Sequence, residues 1–141
     1  MSRYLVDNSV LQRLPRSPGV QTAVNALLDA EHEFCCSALT LDEFGFSARS
    51  AADHAEGSRR LRTSFLYLPA SPETDQIVLD IRSALWRAGK GRSAGVIDVA
   101  IAAIAVSFNA VVLHYDSDFD HIADVYPPMK ARWVVPRGSI T

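Results

Sequence analysis

Long apolar runs are missing from this 141-residue chain. The longest stretch of that kind, residues 94–108, is broken by Asp98 and falls short of the ~20 apolar residues that a membrane-spanning helix needs. Near the start, Arg3 is followed only by Tyr4, Leu5 and Val6 before Asp7 arrives, too little for the apolar segment of a signal peptide. Cysteine is scarce. Cys35 and Cys36 are the two present, and they are neighbours, a spacing that rarely supports a structural bridge. They read as small apolar fillers in a reduced compartment, so a cytoplasmic protein without a membrane partner is expected. Charge of one sign is lacking too: 14 Lys and Arg face 16 Asp and Glu, for a net charge of −2. Composition alone therefore gives no support to nucleic-acid binding. If four of the acids gather round metal ions, however, twelve remain against the fourteen basic residues. No internal repeat, low-complexity segment, linker, Ser-His-Asp or Cys-His nucleophile arrangement or phosphate-binding P-loop is apparent.

What is present suits a packed globule: 48% hydrophobic and 21% charged residues, in a length that buries roughly two-thirds of its unfolded surface. Tyr4-Leu5-Val6 reads as a buried parallel strand ending at an acid. Ser17-Pro18 opens a helical pattern with Val20, Val24, Leu27 and Leu28 on one stripe. Residues 33–37 read as a second strand, after which Thr40 is expected to start a helix bearing Leu41, Phe44 and Ala48. An arginine-studded helical segment, residues 51–63, leads into Phe65-Leu66-Tyr67-Leu68-Pro69. Ser71-Pro72-Glu73 is a strong helix start, with Ile77, Ile81, Ala84 and Leu85 at helical spacing behind it. The loop-like stretch Gly89-Lys90-Gly91-Arg92-Ser93-Ala94-Gly95 precedes a helix with Ile97, Ile101, Ile104 and Phe108 on one stripe. Residues 110–113 and 131–135 complete the strands. This alternation predicts one α/β domain over residues 1–141, with helices on both faces of a mainly parallel sheet.

Ligands of such sheets bind beyond the carboxyl ends of the strands, and acids stand there. Asp7 ends the first strand, and Asp116 and Asp118 follow the 110–113 strand. Glu43 lies in the first turn after the second strand, and Asp98 lies just after the glycine loop. Each has an ordinary explanation. Asp7 suits an Asx turn. Glu43, three residues after Thr40, suits a capping box. Asp116, Asp118 and Asp120 suit a solvated loop. An EF-hand fails, because His121 replaces the required glycine and Pro127 the closing Glu. Asp98 is harder to dismiss. Its flanks, Gly95-Val96-Ile97 and Val99-Ala100-Ile101, are almost wholly apolar, and an ionised carboxylate there is costly unless paired or bound to metal.

Taken in order, Asp7-Asn8-Ser9, Glu43 opening a helix, Gly95-Val96-Ile97-Asp98 before the alanine-rich Val99-Ala100-Ile101-Ala102-Ala103, and Leu113-His114-Tyr115-Asp116-Ser117-Asp118-Phe119 resemble the PIN-domain family. The similarity is strongest to the VapC-type toxins of bacterial toxin–antitoxin modules, and it spans essentially the whole chain. Asn8 departs from the Thr or Ser more usual in the family, but Ser9 keeps a hydroxyl nearby. The resemblance implies a three-layer α/β/α PIN-like fold and an endoribonuclease that hydrolyses phosphodiesters with Mg²⁺ or Mn²⁺. Asp7, Glu43, Asp98 and Asp116 match the family's acidic quartet, and Asp118 matches a further acid that is often present. Asp7, Asp98, Asp116 and Asp118 are then the expected metal ligands, with Glu43 binding a second ion or orienting the attacking water.

Lys90 and Arg92, in the loop before Asp98, are the candidate substrate-binding residues. Arg49, Arg59, Arg60 and Arg62 suit a solvated helix face. His114 is expected to be packed, and Trp86 and Trp133 to be core or interface residues. The resemblance further implies an RNA substrate (tRNA or another structured RNA), a cognate antitoxin that inserts a segment across the acidic site, and a homodimer. Val20, Val24, Phe44 and Phe46 would serve such contacts or, more simply, the chain's own core. Three rival readings fit the sequence less well. An aspartyl phosphatase would show D-x-D where this chain has Asp7-Asn8-Ser9. A 5′ nuclease acting on DNA would bring insertions for gripping a duplex flap. A non-catalytic binding module has no need of an intact acidic quartet.

Overall fold

In the computed structural model, which describes residues 1–140, the elements follow as β1 (Arg3–Val6), α1 (Asn8–Leu11), α2 (Pro18–Asp29), β2 (Glu33–Cys36), α3 (Ala38–Phe46), α4 (Ala51–Ser64), β3 (Leu66–Tyr67), α5 (Pro72–Arg87), α6 (Val96–Ser107), β4 (Val111–His114), α7 (Asp118–Val125) and β5 (Lys130–Trp133). The strands form one wholly parallel sheet in the order β3-β2-β1-β4-β5. β1 is central, with Leu5 opposite Cys35 on one side and Val112 on the other.

Helices cover both faces, so the central strands are apolar on successive residues rather than alternating. Leu5, Cys35 and Val112 pack with Ile77, Ile81 and Leu85 of α5, Ile101 to Ala105 of α6, and Phe119 and Ile122 of α7. Tyr4, Val6, Phe34 and Leu113 pack with Val10 and Leu11 of α1 and Val20, Val24 and Leu27 of α2. The expected three-layer α/β/α arrangement is therefore present. In α6, Ala102, Ala103 and Ala105 are completely buried. Their small side chains let this helix lie close to its neighbours, which brings its first turn to the carboxyl edge of the sheet.

Several helix ends close in the same way. After α5, Gly89 takes φ +75°, its N–H donates to Trp86 O and the Lys90 N–H donates to Leu85 O, a Schellman closure. Asn109 (φ 52°) closes α6 and Glu31 (φ 64°) closes α2 with the same pattern of bonds.

Two members of the expected apolar stripes, Leu28 and Ile97, are corrected, and for Phe46 and Trp86 the core reading is corrected while the contact or interface reading is untouched. Leu28 is 48% exposed and Ile97 42%, while Phe46 and Trp86 stand out at 92% and 57%. Leu28 rotates off the α2 stripe that buries Leu27. Ile97 lies in the first turn of α6, beyond the edge of the sheet. Phe46 ends α3 and Trp86 lies in the last turn of α5, where no layer covers them. Two short helices were not anticipated, α1 and α7. Of Asp116, Asp118 and Asp120, for which a solvated loop is the ordinary explanation, the last two lie in the first turn of α7.

Candidate active site

Asp7 closes β1. Its N–H donates to Leu113 O at 3.0 Å, in continuation of the β1–β4 ladder, and its Oδ2 accepts from the Ser9 N–H at 3.0 Å. This is the expected Asx turn, and it also caps α1. The other oxygen, Oδ1, is buried with no partner. Ser9 does a second thing: its Oγ accepts from the Tyr115 N–H at 2.9 Å, tying the segment after Asp7 to the one that carries Asp116. In the sequence Ser9 reads as a helper of the Asx turn and a nearby hydroxyl, with no partner at a distance. The tie joins residues 106 positions apart, which spacing could not reveal.

The expected start of α3 is wrong in an informative way. Ser37, not Thr40, is the N-cap. Its Oγ accepts from the Thr40 N–H at 3.3 Å, and Thr40 Oγ1 accepts from the Ser37 N–H at 2.9 Å, a reciprocal capping box. Thr40 supplies the partner that Glu43 was expected to be. Glu43 is therefore released from capping, and its Oε1 is buried without a partner.

Asp98 lies in the first turn of α6, behind Gly95 as N-cap. Asp116 follows β4, positioned by two bonds: its N–H donates to His114 Nδ1 at 3.1 Å, and its Oδ1 accepts from the Asp118 N–H at 3.0 Å. His114 is completely buried, as expected, between the rings of Phe119 and Trp133. Asp118 Oδ2 accepts from the Gly95 N–H at 3.3 Å, joining the start of α7 to the start of α6. Carboxylate oxygens of Asp98, Asp116 and Asp118 all lie within 4.8 Å of one another. Asp7 and Glu43 stand outside that triad but within electrostatic reach of it. The triad thus includes Asp118, which the sequence ranked below Asp7.

The crowding shows in the protonation. The Asp98 carboxyl is pushed up to about 8, first by burial, then by the charges of Asp116 and Asp7, and by a hydrogen bond shared with Asp118. Burial also raises Asp7, against the lowering effect of its bonds to Ser9. Glu43 is raised by burial and then by Asp7 and Asp116. Burial holds His114 down to about 4 despite the nearby Asp120 and Asp116 charges. These acids are arranged at a cost that a bound cation would remove. Unpartnered buried oxygens on Asp7 and Glu43 and an all-oxygen triad are the donor set that hard divalent cations take, so the residues fit such an ion.

The expected substrate contacts lie on the loop that ends at Gly95, whose N–H is bonded to Asp118. Lys90 pairs with Asp124 at 3.5 Å, and the Arg92 guanidinium lies 6.0 Å from the centre of the Trp86 ring. Arg59 and Arg60 bond Glu56 on an exposed face of α4, in line with the solvated-face expectation. A concavity of about 650 Å³ opens between α1, α3 and α4, with Leu11, Leu14, Phe44 and Leu61 inside and Arg16, Arg49 and Arg60 among its lining.

A parallel α/β sheet with acids from β1, α3, α6 and the β4–α7 turn converging on one edge is the pattern of a PIN domain, and the PIN-domain family model matches residues 4–125. The chain belongs to that family. It is 35% identical over 139 residues to the ribonuclease VapC51 of Mycobacterium tuberculosis, covering 98% of this chain and 97% of that protein. It is 34% identical to the ribonuclease VapC21 of the same species, with 98% of both chains covered. Among solved structures it resembles VapBC-1 of nontypeable Haemophilus influenzae (TM-score 0.75, 19% identity, 94% of this chain and 98% of that one). It also resembles the DNA-bound VapBC of Salmonella typhimurium (TM-score 0.74, 20% identity, 96% and 100%).

Proposed function

We propose that this protein is a metal-dependent endoribonuclease, the toxin of a toxin–antitoxin pair, with Asp7, Glu43, Asp98 and Asp116 as its catalytic acids. The observation that carries this reading is the convergence of five carboxylates from distant segments on one sheet edge, with Asp98 held protonated to about 8 and buried oxygens of Asp7 and Glu43 left without partners. Similarity to two proteins named as ribonucleases, over nearly the whole of each chain, supports RNA as the substrate class; tRNA or another structured RNA is the form proposed.

Asp98, Asp116 and Asp118 would hold Mg²⁺ or Mn²⁺, with Asp7 as a further ligand. When bound, the ion neutralises the anionic phosphate, eases formation of hydroxide from water and stabilises the departing oxygen. Ser9 and the His114 imidazole keep Asp7 and Asp116 in place from behind. Glu43, near Asp7 and Asp116 but outside the triad, would bind a second ion or orient the attacking water. Lys90 and Arg92 would meet the RNA backbone beyond the site.

The similarity to VapBC complexes supports a cognate antitoxin as partner. The apolar groove between α1, α3 and α4, beside the helix that carries Glu43, is a suitable seat for its segment. A homodimer is proposed with it.

Purified protein incubated with total RNA and Mn²⁺ is expected to yield discrete fragments that vanish with EDTA and with Asp98→Asn. Cleavage that survives both treatments would overturn the assignment of the site.

A further inference from the structure

Tryptophan at a surface forfeits the burial that usually dominates its energetics, and Trp86 is 57% exposed. It is nevertheless held firmly. Gly91 lies directly against the indole: a Cβ at that position would come within 2.1–2.3 Å of three ring atoms, so only glycine fits. Gly91 is itself pinned, since Arg82 Nη1 donates to its carbonyl at 2.8 Å. The flanking turn is closed by bonds from the Lys90 N–H to Leu85 O and from the Ser93 N–H and Oγ to Lys90 O. The loop is therefore built to present an aromatic face.

Positive charge lies near the ring. The Arg92 guanidinium is 6.0 Å from the ring centre, Arg87 is the next residue along, and Arg82 is one helical turn back. Lys90 is tied to Asp124, but Arg87 and Arg92 pair with no carboxylate among the described residues. The loop then runs straight to the acids. The Gly95 N–H is bonded to Asp118, and four residues span at most ~14 Å, a gap that a few nucleotides bridge.

We propose that Trp86, seated on Gly91 and flanked by Arg87 and Arg92, is a stacking platform for an unpaired RNA base beside the acidic cluster, which directs the enzyme to single-stranded or looped segments. The inference rests on the ribonuclease reading above and deepens it. An indole face accepts any base, and the guanidiniums meet the adjoining phosphates. A second copy of the chain suits this patch less well. Two-fold pairing sets a patch against itself, which would bring Arg87 and Arg92 towards their own counterparts, whereas RNA supplies the opposite charge.

The test measures binding of a short fluorescein-labelled single-stranded oligoribonucleotide to the full chain in EDTA, so that affinity is read without cleavage. Trp86→Ala is expected to weaken binding about 5- to 150-fold, the range for losing one stacked base. Trp86→Phe, which keeps a ring on Gly91, is expected to retain most of the affinity. In a Trp133→Phe background the single remaining indole should be quenched as RNA is added. Wild-type affinity in Trp86→Ala, or an unquenched indole, overturns the platform. So does an affinity loss accompanied by a change of mass in light scattering, which would make the patch an interface between copies. If the wild type still cleaves RNA in Mn²⁺ while Trp86→Ala binds normally, the platform fails and the ribonuclease reading stands. If the wild type neither binds nor cleaves RNA, both fail.

Discussion

Asp98 is the residue at which folding and function pull hardest against each other. With its carboxyl raised from 3.8 to about 8, the folded chain holds a proton that the unfolded chain has lost over that whole interval. Stability without metal therefore falls as pH rises through it, by at most about 1.4 kcal/mol per pH unit from this group. His114 acts in the opposite sense. Its folded value of about 4 lies below the ordinary 6.5, so its contribution is lost as pH falls from 6.5 towards 4. The two oppose each other in that lower window. Above 6.5 Asp98 acts without that opposition. In EDTA the melting temperature is expected to fall between pH 6.5 and 8, and Asp98→Asn to flatten that slope. A melting temperature that climbs over this window would sink the account. The same substitution is expected to lower RNA cleavage at least about a hundredfold, since it withdraws several kcal/mol of charge stabilisation.

At the scale of elements, α3 shows what a one-turn error conceals. Thr40 followed by Glu43 has the form of a capping box, and reading it that way would have retired Glu43 as a structural acid. The true cap three residues earlier gives Thr40 the capping duty and frees Glu43. Ser37→Ala is expected to cost about 1 kcal/mol, within the usual 0.5–2, and to reduce cleavage through the helix that carries Glu43. Chemical denaturation together with the RNA assay measures both. At the end of α2, exposed Glu31 holds the left-handed conformation that glycine adopts freely. Glu31→Gly is expected to raise stability by about 1 kcal/mol without affecting cleavage, because it sits at the opposite edge of the sheet from the acids. The core strands were legible because each is a short apolar run bounded by polar residues. α1 and α7 were not. One is a single turn, and the other opens on Asp118-Phe119-Asp120-His121, where first-turn acids that favour the helix dipole look the same as a solvated loop.

Across the whole molecule, the carboxyl edge gathers charge that the layers beneath it must support. A cation bound only by the folded state shifts the equilibrium by about 2.7 kcal/mol at a hundredfold excess over its dissociation constant. Saturating Mn²⁺ is therefore expected to raise the melting temperature by roughly 5–10 °C at this chain length. Asp116→Asn is expected to lose most of that rise. An equal rise in the variant would place the ion elsewhere. RNA affinity should also fall linearly on a log–log plot against salt, as expected if basic residues meet the backbone.

The order of apolar runs and helical stripes was enough to determine a parallel α/β sheet covered on both faces. It also placed Asp7, Asp98 and Asp116 just beyond strand ends or a loop, because strand and helix periodicities are local properties of the chain. Local pattern could not decide which acids meet. Asp98, Asp116 and Asp118 come together only because buried alanines let α6 lie close against its neighbours and because Gly95 bonds Asp118 across 23 residues. Nor could it decide that Trp86 stands outside. A tryptophan on an amphipathic helix has the same spacing whether or not a layer covers it, and here none of the seven helices around the sheet covers it.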